Sequence, residues 1–302
     1  MTHMNEIVPV QPWDGADAGR LMQLDETSPD SFTNPFSGVR TDRHLYGGQV
    51  LAHALLAASR TAPDRAIHSL HGYFLRAGDG QNRVTFDVER TRDGRSFCTR
   101  RVVARQQGEA LFHMECSLHG PDRRGLEHQI AMPDVPPPED LPTLQEYAKS
   151  TGEPNAVRAS ARLGPISLID IKLVNPQSLT RQDAYPRRRI WLRIPSAAST
   201  ADPLIHTALL AYLSDFWLAG AALATHDVAC SATDPRIASL DHALWIHRPG
   251  RVDDWLLYET DSPSAGNSTG LSRGLIYNRD GVLLASSAQE AMIRVAPDLD
   301  GA

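Results

Sequence analysis

Two segments of the chain are apolar nearly all round, Gly47 to Thr61 and Pro203 to Asp215. A helix with apolar residues on most faces is buried instead of lying on a surface. The first starts after Gly47-Gly48, and the second after Pro203, which suits a first helical turn. The segments that follow each helix change period: β-branched and aromatic residues fall on alternate positions, as in half-buried strands. Arg92-Asp93-Gly94 and Arg279-Asp280-Gly281 supply hairpin-turn chemistry between such runs.

This pattern occurs twice. His68 to Arg76, running into Gly78, falls on Leu240 to Arg248, running into Gly250; at the same offset Gly94 meets Gly266 and Arg101 meets Arg273. Gln107-Gly108 then meets Asp280-Gly281 after one inserted residue, and the two helices share Ala-Leu-Leu-Ala at Ala54 and Ala208. A period this long is duplication of a whole domain, not a solenoid. One buried helix followed by an antiparallel meander, made twice, predicts an α+β double hotdog, two fused units each with its sheet wrapped round a long central helix. The expected layout is a tail over residues 1–14, one unit over 15–122, a linker over 123–160, a second unit over 161–296 and a tail over 297–302. Met132 to Pro138 and the polar stretch to about Asn155 read as stiff, extended linker, with an alternating strand-like run at Arg162 to Val174 opening the second unit.

At 302 residues the chain is long enough for two such units. Its formal charge of −6 is spread through interleaved acids and bases, so no field gathers nucleic acid or an anionic membrane, and a small molecule is the expected partner. Cys98, Cys116 and Cys230 are odd in number and widely separated, which argues against a disulfide framework or zinc site and for a reducing, cytoplasmic setting. The first residues lack a basic-then-apolar signal, no window approaches 18 uninterrupted apolar residues, and the last three residues are not a Ser-Lys-Leu address, so neither export nor membrane spanning is expected.

Gly266-Asn267-Ser268-Thr269-Gly270 matches the serine-hydrolase elbow literally, but a Pro263-containing turn precedes it, a strand pattern follows, and no histidine occurs after His247. It reads as a turn. His68 and His71, and His242 and His247, are spaced to point to opposite strand faces and read as packing or surface residues, not metal ligands. Arg187-Arg188-Arg189 reads as a solvated strand start. No cofactor motif is present, and no metal is expected.

Three polar residues stand in apolar company. Asp215, between Leu213-Ser214 and Phe216-Trp217, is either the N-cap of a following helix or a functional carboxylate. Gln289 shares a strand face with Leu283, Ala285, Ala291 and Ile293 and needs partners if buried. Ser239 alone reads as a strand-start hydroxyl. By the repeat, Asp215 answers a position near Thr61, and Gln289 one near Cys116 or Ser117, so carboxylate and amide exist in one copy only. This points to one functional site per chain, in the second half.

Residues 34–294 resemble the acyl-CoA thioesterase II family, double-hotdog hydrolases of fatty acyl-CoA. The matching stretches include Leu45 to Val50, His68 to Gly78, Thr91 to Phe97, Glu127 to Gln129, Tyr212 to Asp215, Ile237 to Pro249, Trp255 to Tyr258, Asp280 to Ser287 and Gln289-Glu290. The resemblance implies that Asp215, Ser239 and Gln289 hold the attacking water, with Ser239 at a position often occupied by threonine. It implies an acyl-CoA substrate and hydrolysis without a covalent intermediate, metal or other cofactor. Gly47, Gly48 and Gln49, at the start of a buried helix whose free backbone N–H groups can meet an oxyanion, are expected to form a carbonyl- or acyl-binding edge. A catalytically silent acyl-CoA or lipid binder is the alternative, and an enoyl-CoA hydratase is disfavoured because His206 lies far along the helix from Asp215. Two fused hotdogs already mimic a dimer, and association into dimers or larger assemblies is compatible with that.

Overall fold

In the computed structural model, which describes residues 9–38, 44–120, 125–163, 168–176, 186–226 and 236–294, both apolar segments are helices. The first half contains β1 (Gln11–Pro12), α1 (Ala18–Leu21), β2 (Asp25–Ser28), β3 (Ser31–Thr33), β4 (Phe36–Ser37), α2 (Gly47–Arg60), β5 (Ala66–Phe74), β6 (Thr85–Asp93), β7 (Phe97–Gln106) and β8 (Glu109–His119). After it come α3 (Leu144–Thr151), α4 (Pro154–Leu163), β9 (Asp170–Leu173), β10 (Arg187–Arg193) and α5 (Pro203–Ser214). The chain then finishes with β11 (Arg236–Ser239), β12 (Asp241–Ile246), β13 (Leu256–Gly266), β14 (Thr269–Tyr277) and β15 (Leu283–Arg294).

All strands but β1 and β4 form one antiparallel sheet, ordered β2-β3-β6-β7-β8-β5-β12-β15-β14-β13-β10-β9, with β11 also on β15. The halves meet where β5 pairs with β12, with Tyr73 opposite Asp241 and Leu70 opposite Leu244. Inside the curve lie α2, buried from Gly48 to Ser59, and α5, packed on α2. This is the double hotdog, α+β, that the repeat predicts. The run Pro203–Leu223 is long and apolar enough, by length and composition, to cross a membrane, but half of it is buried inside the fold and it breaks at Asp215.

The hairpin signals act as turns. Gln107-Gly108 and Asn267-Ser268 take left-handed backbone, and Gly281 sits at φ 78°. Ser268 therefore lies at the tip of the β13–β14 hairpin, with no helix after it, while Pro263 sits inside β13 at a register shift instead of in a turn. Arg187 and Arg189 pair with Glu259 at the sheet surface.

Three expectations change. The tail over residues 1–14 joins the fold from Pro9 onward: β1 pairs with β4, and Trp13 is buried, its indole N–H donating to Asp17 O. From Gly125, where its described residues begin, the linker has no regular secondary structure up to Pro137 and packs on the second half: Gln129 accepts from Leu283 N and donates to Gly281 O, and Trp191 Nε1 donates to Pro136 O. Beyond it the chain turns helical in α3 and α4, because Thr143 and Glu146 form a reciprocal capping box and Gly152 closes α3 at φ 62°. The strand-like run Arg162 to Val174 accordingly contains the end of α4, and among its described residues Asp170–Leu173 is the part that forms a strand. Of the cysteines, Cys98 and Cys116 are free and buried, burial pushing the Cys116 thiol up to about 12; Cys230 lies outside the described residues.

Candidate active site

The polar residues singled out above gather at the seam between the halves. Gln289 lies on β15 across from β12 and is 1% exposed. Its Nε2 donates to Ser239 Oγ, and its Oε1 stands 3.0 Å from His242 Nδ1. Ser239 reaches the amide because β11 and β12 both pair with β15, leaving only Leu240 between them. That residue is pinned in turn, its N–H donating to Glu290 O and its carbonyl accepting from Phe74 N.

Asp215 comes from the other side. It is the C-cap of α5 and not the N-cap of a later helix, and it is buried. After Phe216 the chain turns sharply at Trp217, whose φ of 57° is a conformation bulky residues rarely adopt, and its ring stacks on Phe216. A carboxylate at a helix C-terminus is electrostatically disfavoured, but this one is directed at the opposite pole of another helix. A Cβ built on Gly47, the first residue of α2, would stand 2.9 Å from Asp215 Oδ2. Tyr46, at the cap of α2, makes no side-chain hydrogen bond to that helix end; its hydroxyl donates instead to Tyr212 O at 3.1 Å.

The space between is organised by residues that sequence reasoning passed over. His242, wholly buried on β12, places Nε2 2.9 Å from the hydroxyl of Ser214, the neighbour of Asp215. Burial pushes its pKa down, opposed by the Asp215 charge and the Gln289 contact, so the ring is neutral near pH 7. Tyr258 donates its hydroxyl to Ser214 O and lies 3.0 Å from Ser287 Oγ, burial raising its pKa so that it stays protonated. The signal for His242 was the same alternation that exposed Gln289: it shares the inward face of β12 with Leu244.

The predicted acyl-binding edge divides. Gly47 lies against Asp215 and Phe74, whereas a Cβ on Gly48 would meet Tyr212 O at 2.5 Å, so Gly48 serves the close approach of α2 and α5. The side chain of Gln49 is committed elsewhere: Oε1 accepts from Gly38 N at 3.1 Å, and Nε2 donates to Phe36 O at 3.3 Å. Its amide fastens the α2 start to β4 and does not line the seam.

The first half repeats the scaffold without the site. Cys116 takes the place of Gln289, Thr61 that of Asp215, and Arg100, opposite Cys116 as Ser272 is opposite Gln289, fills the interior. Its Nε donates to Thr61 Oγ1 at 2.7 Å and its Nη2 to Asp93 Oδ1 at 2.6 Å. Among the described residues no three His, Cys, Asp or Glu converge as a metal-binding group.

Comparison with known proteins agrees with this architecture half by half. Residues 37–119 match the family described as acyl-CoA thioesterase N-terminal domain, and residues 138–293 the one described as acyl-CoA thioesterase C-terminal domain. The chain belongs to the acyl-CoA thioesterase II family. Membership makes it a thioester hydrolase. Acyl-coenzyme A thioesterase 8 of Mus musculus is 38% identical over 293 residues, covering 92% of this chain and 89% of the relative. Acyl-CoA thioesterase 2 of Haemophilus influenzae is 37% identical over 257 residues, covering 83% and 88%. Among solved structures, the acyl-CoA thioesterase II TesB2 from Mycobacterium marinum superposes with a TM-score of 0.75 at 36% identity, covering 93% of this chain and 99% of that one. A hot dog fold protein from Alicyclobacillus acidocaldarius, at 17% identity and TM-score 0.72, shares the fold.

Proposed function

We propose that this chain hydrolyses acyl-CoA to free acid and CoA at the seam site, by direct attack of water. The reading is supported by the relatives named acyl-CoA thioesterases and, above all, by one observation: the hydrogen-bonded Gln289–Ser239 pair is joined through His242 to Ser214, the neighbour of Asp215, whose carboxylate abuts the start of α2. Water held by Ser239 and Gln289 gives a proton to Asp215 as its oxygen bonds to the thioester carbonyl carbon. The tetrahedral oxyanion is met by the backbone N–H groups at the α2 start, where Gly47 leaves room. Collapse breaks the C–S bond, and CoA leaves as thiolate, which takes up a proton. Base catalysis of this kind contributes about 10² to 10⁴ in rate. No residue is acylated and no metal enters.

The test is release of free thiol from a series of acyl-CoA substrates of increasing chain length, in EDTA, with wild type and Asp215→Asn. The expected result is steady release by wild type and a loss of at least about a hundredfold in the variant. An unchanged rate in the variant removes Asp215 from the mechanism. Saturable acyl-CoA binding with no thiol release at any chain length would make the protein a binder instead.

A further inference from the structure

Gln289 can serve the reaction only with its amide turned one way, and nothing in the Gln289–Ser239 pair decides which. The same two residues can bond with the amide nitrogen donating to the serine, or with the amide turned so that the serine donates to the amide oxygen. In the first case Ser239 keeps its own proton to offer outward; in the second it has only lone pairs left. The difference matters, because the oxygen of a water that gives its own proton to Asp215 is held in place by a donor.

The deciding group is behind the amide. His242 is fully buried, and its two ring nitrogens each have one neighbour, Gln289 Oε1 at Nδ1 and Ser214 Oγ at Nε2. A neutral imidazole carries one N–H and one bare nitrogen. An amide oxygen only accepts, so the contact at Nδ1 requires the proton there; Nε2 is then bare and takes the Ser214 hydroxyl proton. Ser214 has two acceptors in reach, Ala211 O at 2.8 Å and His242 Nε2 at 2.9 Å, and can satisfy either. With the proton on Nε2 the chain of bonds reverses: Ser214 turns to Ala211, Nδ1 accepts, the amide flips, and Ser239 loses its free proton.

We propose that His242 is a positioning residue whose Nδ1–H fixes the Gln289 amide with its nitrogen toward Ser239, so that the Ser239 hydroxyl is presented to the reaction space as a donor. The bond from Ser214 adds a second effect. It ties the end of α5, which carries Asp215, to the strand residue that orients Gln289, so the base and the water-holding pair are set by one ring. The inference rests on the thioesterase reading of this site, and it adds to that reading which proton holds the machinery in register.

Two measurements test it. Long-range ¹H–¹⁵N correlation on wild-type protein with labelled histidine reads the tautomer directly, the His242 signal being assigned through its contacts with Gln289. Protonated Nδ1 with bare Nε2 is expected, and protonated Nε2 overturns the proposal. The second measurement uses amides that mimic one ring nitrogen each: the nitrogen of His242→Asn falls near Nδ1, and that of His242→Gln near Nε2. In H242N kcat is expected to stay within about threefold of wild type, and in H242Q to fall roughly 10- to 100-fold, with KM for acyl-CoA within about twofold in both. Equal losses, or the reverse order, overturn the proposal. A wild type inactive on every acyl-CoA would defeat the thioesterase reading while the tautomer remains measurable, and variants that do not fold leave the wild-type spectrum to decide.

Discussion

Gly47 and Asp215, one at the start of the first central helix and the other at the end of the second, are packed so closely that a Cβ on the glycine would lie 2.9 Å from the carboxylate oxygen Oδ2 and 3.1 Å from the Phe74 ring. Gly47→Ala therefore forces the carboxylate or the ring to move. Alanine itself suits a helix better than glycine. The expected result is a fall in kcat of roughly 10- to 100-fold with a thermal midpoint close to wild type, read by thiol release and by scanning calorimetry. Gly48→Ala should do the opposite first. Its Cβ would strike Tyr212 O at 2.5 Å, backbone that cannot swing aside, so stability should drop by about 1–3 kcal/mol as α2 and α5 are pushed apart.

Ser239 contributes a hydroxyl from a strand end and nothing to the core. Ser239→Ala leaves the Gln289 amide nitrogen without its acceptor and removes a donor that holds the attacking water, so kcat should fall about 10- to 100-fold. Threonine keeps the hydroxyl and restricts its rotamer. Ser239→Thr should raise kcat by about twofold, and a fall below wild type would show that the added methyl obstructs the site. Steady-state kinetics on one acyl-CoA settles both.

His53 gives the fold an acid limit independent of the site. It is buried in α2, its Nε2 at 2.9 Å from Leu21 O, and burial lowers its pKa from 6.5 to about 4. The unfolded chain therefore takes up a proton that the folded one resists, so this contribution is complete above pH 6.5 and drains away as pH falls toward 4. A shift of this size corresponds to about 3 kcal/mol. His53→Gln, whose amide nitrogen falls near Nε2 and has no charge to gain, should flatten the slope of unfolding free energy between pH 6.5 and 4. An unchanged slope would assign the acid sensitivity to other groups.

What the sequence made legible, and what it hid, follow from range. The two helices were readable to within a residue because burial on all faces leaves a local mark, and Gln289 because strand alternation assigns a face. His242 obeyed the same alternation but was weighed only as half of a histidine pair, and its importance depends on Ser214 and Gln289, 28 and 47 residues away. Gln49 misled for a similar reason. Its place beside two glycines at a helix start suggested ligand contact, and only the fold brings Gly38 and Phe36 within reach of its amide. The helices of the linker were announced by Thr143 and Glu146, a capping signal submerged in a proline-rich composition.

Arg100 separates what the duplicated scaffold needs from what the reaction needs. Its guanidinium, 1% exposed, stands in the first half where Ser272 and the space before Gln289 stand in the second, and it bonds Thr61 Oγ1, Asp93 and the carbonyls of Arg92 and Thr99. Thr61 is the C-cap of α2, so a cation here also complements the helix dipole. Removing it leaves a void and unpaired carbonyls, whereas Asp93, with its side chain 56% exposed, can turn to water, so its ion pair adds little. Arg100→Ala should cost about 2–4 kcal/mol in urea unfolding, with the rate of thiol release by the folded variant at wild-type level, because Asp215, Ser239 and Gln289 lie in the other half and Arg100 bonds Thr61 at the C-cap of α2, the end opposite Gly47. Arg100→Met restores much of the volume without the charge and should recover part of that loss. If methionine proves as damaging as alanine, hydrogen bonding and not packing holds the first half closed; if either variant abolishes thiol release while folded, the C-terminal end of α2 is coupled to the seam site at its start.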